Sequence, residues 1–198
     1  MQPDSKARAD YVEAFSQIVA RISATLKDVP EPALPIKMFV AGGAALHFYT
    51  GERVSRDVDA VFSRRIALPD DLDIAYRDAD GAARLLYFDR QYSDTLSLMH
   101  EDAQDDSLPL SLEGIDAGVL DVRLLTPLDL AVSKISRFSE RDRGDIASLA
   151  RHQLIRAAAL RRRAEEAVVC YVGSIDRIRG SIESACRIVA DVEGRRRN

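Results

Sequence analysis

The stretch from Phe39 to Phe62, FVAGGAALHFYTGERVSRDVDAVF, constrains the fold more than any other part of the chain. Residues Ile36 to Ala41 make a short apolar run that predicts a buried strand. Gly42-Gly43 then permits a tight turn with no Cβ between the backbone and a ligand. Helix formers with an apolar face follow from Ala44 to Tyr49, so a helix N-terminus with unshared N–H groups stands where a phosphate would be held. A second strand is expected over Asp57 to Phe62. Alternate strand positions share a face, which sets Asp57 beside Asp59 and leaves Val58 and Val61 for burial. Two neighbouring carboxylates repel unless a cation lies between them, and their hard oxygens favour Mg²⁺ or Mn²⁺ over zinc. Asp-x-Asp alone is a weak signal, and on an isolated strand it reads as solvated polar surface. The order strand, Gly-Gly, helix, Asp-x-Asp is what gives it weight. The intervening loop GERVSR brings Arg53 and Ser55 close to the pair in sequence, either to touch a phosphate or to tie the loop to the acidic strand; Arg53 reads equally as a surface residue.

Support for this stretch is predicted on both sides. Tyr11, Phe15, Ile18, Val19, Ile22 and Leu26 recur at helical spacing, so residues 5–28 read as an amphipathic helix with Asp4 and Ser5 as candidate caps. Pro30, Pro32 and Pro35 make the following segment an extended connector. Residues 74–91 read as a hairpin turning at Asp80-Gly81. The acidic segment after it is poorly periodic, and its His100 has no paired nucleophile. A strand is expected over Val119 to Leu125, with Thr126 capping a helix that has Pro127 at its first position. Asp121 in that strand is either a third carboxylate, if the strand lies beside Asp57, or a solvent-facing polar residue.

A second cluster, KISRFSERDRGDI, holds Lys134, Arg137, Arg141, Asp142 and Asp145. On an unbroken helix the three cations share a face and need anions, either these aspartates or bound phosphates. Gly144 is a candidate break. Residues 153–193 read as helical throughout, with a nearly seven-residue apolar seam that Gly173 and Gly180 are placed to kink or split.

The chain of 198 residues is 46% apolar and 30% charged, a balance that excludes wholesale disorder. No apolar run approaches the ~18 residues of a membrane span, and the start lacks a signal-peptide core. Cys170 and Cys186 have no metal-site spacing and read as small buried apolar residues. These features point to a cytoplasmic protein. Residues 1–150 carry 17 basic and 26 acidic side chains, whereas residues 151–198 carry 11 and 6. The basic tail is either the solvated face of Arg-rich helices or an attraction for a phosphate-rich partner such as RNA. Two regions follow, a core over 1–150 and a basic helical region over 151–198.

Taken together, Ala41-Gly42-Gly43, Asp57-Val58-Asp59 and Leu120-Asp121-Val122 resemble the signature of the DNA polymerase β type nucleotidyltransferase superfamily. LTPLDLAVSKISRFSERDRGDI resembles the Lys-x-x-Arg-x-x-x-Arg-Asp-x-x-Asp motif of bacterial nucleotidyltransferases found as toxins in toxin–antitoxin and abortive-infection pairs, and of their uncharacterised relatives. The resemblance spans roughly Ile36 to Ala150. It implies an α+β fold, a small mixed sheet with flanking helices. It further implies that Gly42 and Gly43 hold nucleotide phosphates, that Asp57, Asp59 and Asp121 bind Mg²⁺, and that Lys134 contacts the triphosphate or attacking group beside Arg137, Asp142 and Asp145. The implied reaction moves NMP from an NTP to an RNA such as a tRNA end, or to a protein, with an antitoxin as possible partner. The alternative is a non-catalytic nucleotide or RNA binding module on the same fold.

Overall fold

Amino-terminal helical periodicity is realised as α1, Ala9–Ala24, in the computed structural model, which describes residues 6–95 and 97–196. The candidate caps Asp4 and Ser5 lie outside the described residues; Arg8 occupies the cap position. Tyr11, Phe15, Ile18 and Ile22 are fully buried. Each such side chain contributes roughly 1.5–3 kcal/mol through removal from water. Phe15 meets Phe48 edge-on with ring centroids 5.0 Å apart, which joins α1 to α2, Gly42–Thr50.

Two sheets organise the residues up to Tyr92 together with Ser107–Leu124, which form one compact unit. The first sheet has the order β3-β1-β7-β6, with β1 at Ile36–Val40, β3 at Ala60–Phe62, β6 at Leu108–Pro109 and β7 at Leu120–Leu124. β1 runs antiparallel to β3 and parallel to β7. The second sheet has the order β2-β5-β4, with β2 at Asp57–Val58, β4 at Asp73–Arg77 and β5 at Ala83–Phe88. α1 packs on β4 and β5. The hairpin expected at Asp80-Gly81 is β4–β5, and Gly81 takes a positive φ of 79° at its turn. The fold is thus α+β with small mixed sheets and flanking helices.

Local differences from the sequence reading have physical causes. The strand expected over Asp57 to Phe62 is two strands in different sheets: β2 pairs with β5, β3 pairs with β1, and the chain changes sheets at Asp59. The proline connector contains a 3-10 turn at Glu31–Ala33. A short strand, β6, lies in the acidic segment where periodicity showed none.

Ser93–Asp106 and the chain from Leu125 onward make the second unit. Thr126 caps α3, Pro127–Ser133, as its sequence predicts, its hydroxyl accepting from the Asp129 N–H at 3.1 Å. The cluster helix is not continuous. It breaks after Ser133 and restarts as α4, Glu140–Arg151, because Phe138 turns left-handed (φ 49°) and Ser139 with Asp142 forms a capping box. Gly144 lies inside α4 and breaks nothing. The long carboxy-terminal seam is likewise split into α5, Ala157–Ala167, and α6, Ile175–Arg195, with Gly173 between them and Gly180 inside α6. α6 packs on both α4 and α5. Leu160, Ala164, Ile178, Ile182, Ala185 and Val189 are buried along the seam. No helix among the described residues is long and apolar enough to cross a membrane.

Candidate functional site

Two close approaches build the site in the first unit. Gly42 opens α2 with φ 58°, a left-handed conformation that costs an L-residue about 1–2 kcal/mol. A Cβ added there would collide with the Asp59 carboxylate, standing 2.7 Å from its Cγ. A Cβ on Gly43 would collide with Ser55 and lie 2.9 Å from the Arg53 guanidinium. Bare backbone is therefore needed at both positions. The first N–H groups of a helix lack intrahelical partners and carry its positive dipole end, so this turn suits an anion.

The carboxylates are set by strand pairing. Asp59 sits where the chain leaves one sheet for the other, its carbonyl accepting from the Ala41 N–H at 2.8 Å. Asp57 pairs with Tyr87 of β5, and the Ser55 hydroxyl donates to its carboxylate. Ser55 is itself buried, while Asp57 and Asp59 are half-buried. Gly42, Gly43, Arg53, Ser55, Asp57 and Asp59 are thus gathered at one end of α2. Beneath them Tyr11 lies against His47, ring centroids 4.6 Å apart. Burial foremost, with the neighbouring Tyr76 and the charges of Asp57 and Asp59, raises the Tyr11 hydroxyl well above its usual range and keeps it neutral. Burial lowers the His47 imidazole, whose Nε2 accepts from the Arg8 N–H at 3.2 Å.

Asp121 is placed elsewhere. β7 lies between β1 and β6 rather than beside β2, with Asp121 opposite Lys37 and 3.1 Å from the Arg123 guanidinium. Among the described residues no group of three or more His, Cys, Asp or Glu side chains is arranged to hold a metal. Sequence reasoning passed over Asp89. Its N–H donates to the Val58 carbonyl at 3.1 Å, which continues the parallel register of β2 and β5 to the level of Asp59. Its carboxylate caps the Gln91 N–H at 2.9 Å. An acidic residue ending the apolar run Leu85 to Phe88 was the available signal.

In the second unit the other cluster closes on itself. The Lys134 ammonium lies 2.7 Å from Asp145, both side chains 6% exposed. Arg137 makes a two-pronged contact with Asp142 at 2.8 and 2.7 Å. Burial would raise the Asp142 carboxyl, but Arg137 and Ser139 outweigh it and hold the group down at about 2. Because the helix breaks, Lys134, Arg137 and Arg141 do not share one helical face. His100 caps a 3-10 turn, its Nδ1 accepting from the Asp102 N–H at 3.1 Å. Cys186 is buried as expected, but Cys170 is exposed, since it ends a 3-10 turn, Val168–Cys170, that buries none of its residues; both are free thiols.

The donor set at Asp57 and Asp59 fits Mg²⁺, which is commonly held by one or two carboxylates while water and substrate phosphates complete its octahedron. The model of a family described as nucleotidyltransferase of unknown function (DUF6036) matches residues 17–183. The chain belongs to this nucleotidyltransferase-type family. No curated protein and no solved structure matches it.

Proposed function

We propose that this member of the nucleotidyltransferase family transfers a nucleoside monophosphate from an NTP to an acceptor oxygen, using the turn and carboxylates gathered around Gly42. The observation that carries the reading is the bare-backbone approach of Gly42 to Asp59 and of Gly43 to Ser55 and Arg53. Such an approach sets the first backbone N–H groups of α2 directly against Asp59, Ser55 and Arg53, with nothing but bare backbone between them. In this reading the α2 N-terminus receives the triphosphate, and Arg53 adds a cation beside Gly43. Ser55 holds the Asp57 carboxylate in one orientation, and Asp57 and Asp59 would hold Mg²⁺. When bound, the ion would offset charge on the phosphates and favour the attacking alkoxide. The acceptor oxygen forms its bond to the α-phosphorus as the bond to pyrophosphate breaks, and the acceptor proton leaves towards the carboxylates. Positioning and charge stabilisation supply the catalysis, which needs no Ser-His-Asp set.

The acceptor in this proposal is an RNA, such as a tRNA end, or a protein side chain. Resemblance of the Lys134 cluster to toxin nucleotidyltransferases supports a toxin role with an antitoxin partner. We assign Lys134, Arg137, Asp142 and Asp145 to positioning, since each cation already has its aspartate. Incubation with labelled NTPs, Mg²⁺ and total RNA or protein is expected to transfer label, and transfer should vanish in Asp57→Ala combined with Asp59→Ala. Undiminished transfer in that variant overturns the site. The placement of Asp121 away from Asp57 and Asp59 motivates a second reading, a non-catalytic nucleotide or RNA binding module on the same fold. Calorimetry showing tight NTP binding with no turnover on any acceptor would select it.

A further inference from the structure

The second sheet has one buried and one open face. Val58, Ile74, Leu86 and Phe88 are buried on the first. The opposite face presents Leu85 and Tyr87, 48% and 37% exposed. Ala75 is paired to Leu85 and is too small to cover it. Tyr87 is also the in-register partner of Asp57 on the parallel neighbour. Partnered positions on adjacent strands point to the same face about 4.8 Å apart, so an aromatic ring stands next to a proposed metal-binding carboxylate.

The two edges of the Asp57–Asp59 segment differ. One meets the turn that opens α2, through the Asp59 carbonyl and the Ala41 N–H. The other meets β5. In phosphoryl transfer the attacking and leaving oxygens lie roughly in line on opposite sides of the phosphorus. With pyrophosphate over the Gly42-Gly43 turn, the attacking oxygen arrives from the β5 side. We infer that Tyr87 and Leu85 form an acceptor platform that stacks the terminal base of a single-stranded nucleic acid, holding its hydroxyl towards Asp57. The inference rests on the nucleotidyltransferase reading and names its acceptor class. Two partly exposed side chains supply far less than the ~800 Å² per partner of a stable protein interface, whereas one base needs a single ring face. On the same face exposed Asp73 is the in-register partner of Tyr87, and exposed Arg77, opposite Ala83, flanks the strip beyond Leu85 and can answer the acceptor's phosphates.

The chain contains no tryptophan, so Tyr87→Trp introduces a single indole reporter. Titration of that full-length variant with a short single-stranded oligoribonucleotide, without metal or NTP, is expected to quench its fluorescence by stacking. In the transfer assay Tyr87→Ala is expected to raise the acceptor KM about tenfold and leave the NTP KM unchanged, Leu85→Ala to raise it less, and Tyr87→Phe to retain the native value. Matching melting curves establish that the variants are folded. Absence of quenching by the oligoribonucleotide overturns the platform, even where transfer itself persists and the nucleotidyltransferase reading stands. A rise in the NTP KM instead overturns it by giving the ring to the incoming nucleotide, and label entering protein in place of RNA overturns it by changing the acceptor class. Quenching without any transfer leaves the base platform in place and removes the catalytic reading.

Discussion

The two motif clusters, one around Gly42 and one around Lys134, use the same residue chemistry in opposite ways. Around Gly42 the carboxylates are half-buried, and Asp57 is held by the neutral hydroxyl of Ser55. Around Lys134 both aspartates meet a cation of their own motif, and the Lys134–Asp145 pair is almost wholly out of water. A charge already matched at 2.7 Å in a buried site has little attraction left for a ligand, but its loss strands its partner. The second cluster therefore holds α3 against α4.

That contrast can be broken experimentally. Asp57→Ala with Asp59→Ala should lower transfer at least about 10³-fold while the melting temperature stays within a few degrees, read by labelled-NTP assay and calorimetry. In the second cluster Lys134→Met should instead destabilise the fold by about 3–5 kcal/mol in urea titrations, with Lys134→Met plus Asp145→Leu recovering much of the loss. Lost transfer in a Lys134→Met protein of native stability would erase the contrast and return Lys134 to the chemistry.

Gly42→Ala sharpens the same comparison, because it strains the left-handed turn and pushes into Asp59. We expect about 10²-fold lower transfer with a stability loss of only about 1–2 kcal/mol.

Smaller effects come from pH. Asp142 is held at about 2 in the fold against its usual 3.8, so its contribution is fully present above pH 3.8 and is lost as pH falls towards 2. Asp142→Asn should flatten the stability profile in that window. The lowered His47 works at milder pH: below its usual 6.5 the unfolded chain takes up a proton more readily than the fold does, so stability falls with acid. Melting temperatures of His47→Gln should vary least with pH there.

The local geometry at Gly42-Gly43 was legible in the sequence. Gly42-Gly43 read as a close approach because only a residue without Cβ permits one, and the collisions with Asp59 and Ser55 supply the reason. Asp80-Gly81 and Thr126-Pro127 read correctly because turn and cap preferences act over a few residues. Asp121 did not, since its apolar flanks identify a strand but carry no information about which strand lies beside it. Asp89 was missed for the same reason. Its closeness to Asp57–Asp59 exists only through the pairing of β2 with β5.

The sequence by itself determined the candidate residues, the turn at Asp80-Gly81, the helix start at Thr126-Pro127, and that the chain alternates helices with short strands, because sterics, periodicity and capping are local. Tertiary structure alone decided the change of sheet at Asp59, the separation of Asp121 from the pair and the exposure of Tyr87 beside Asp57. It also decided that Lys134 is answered by Asp145. Those outcomes depend on strand register and on burial by distant segments, where free energy is shared among groups far apart along the chain.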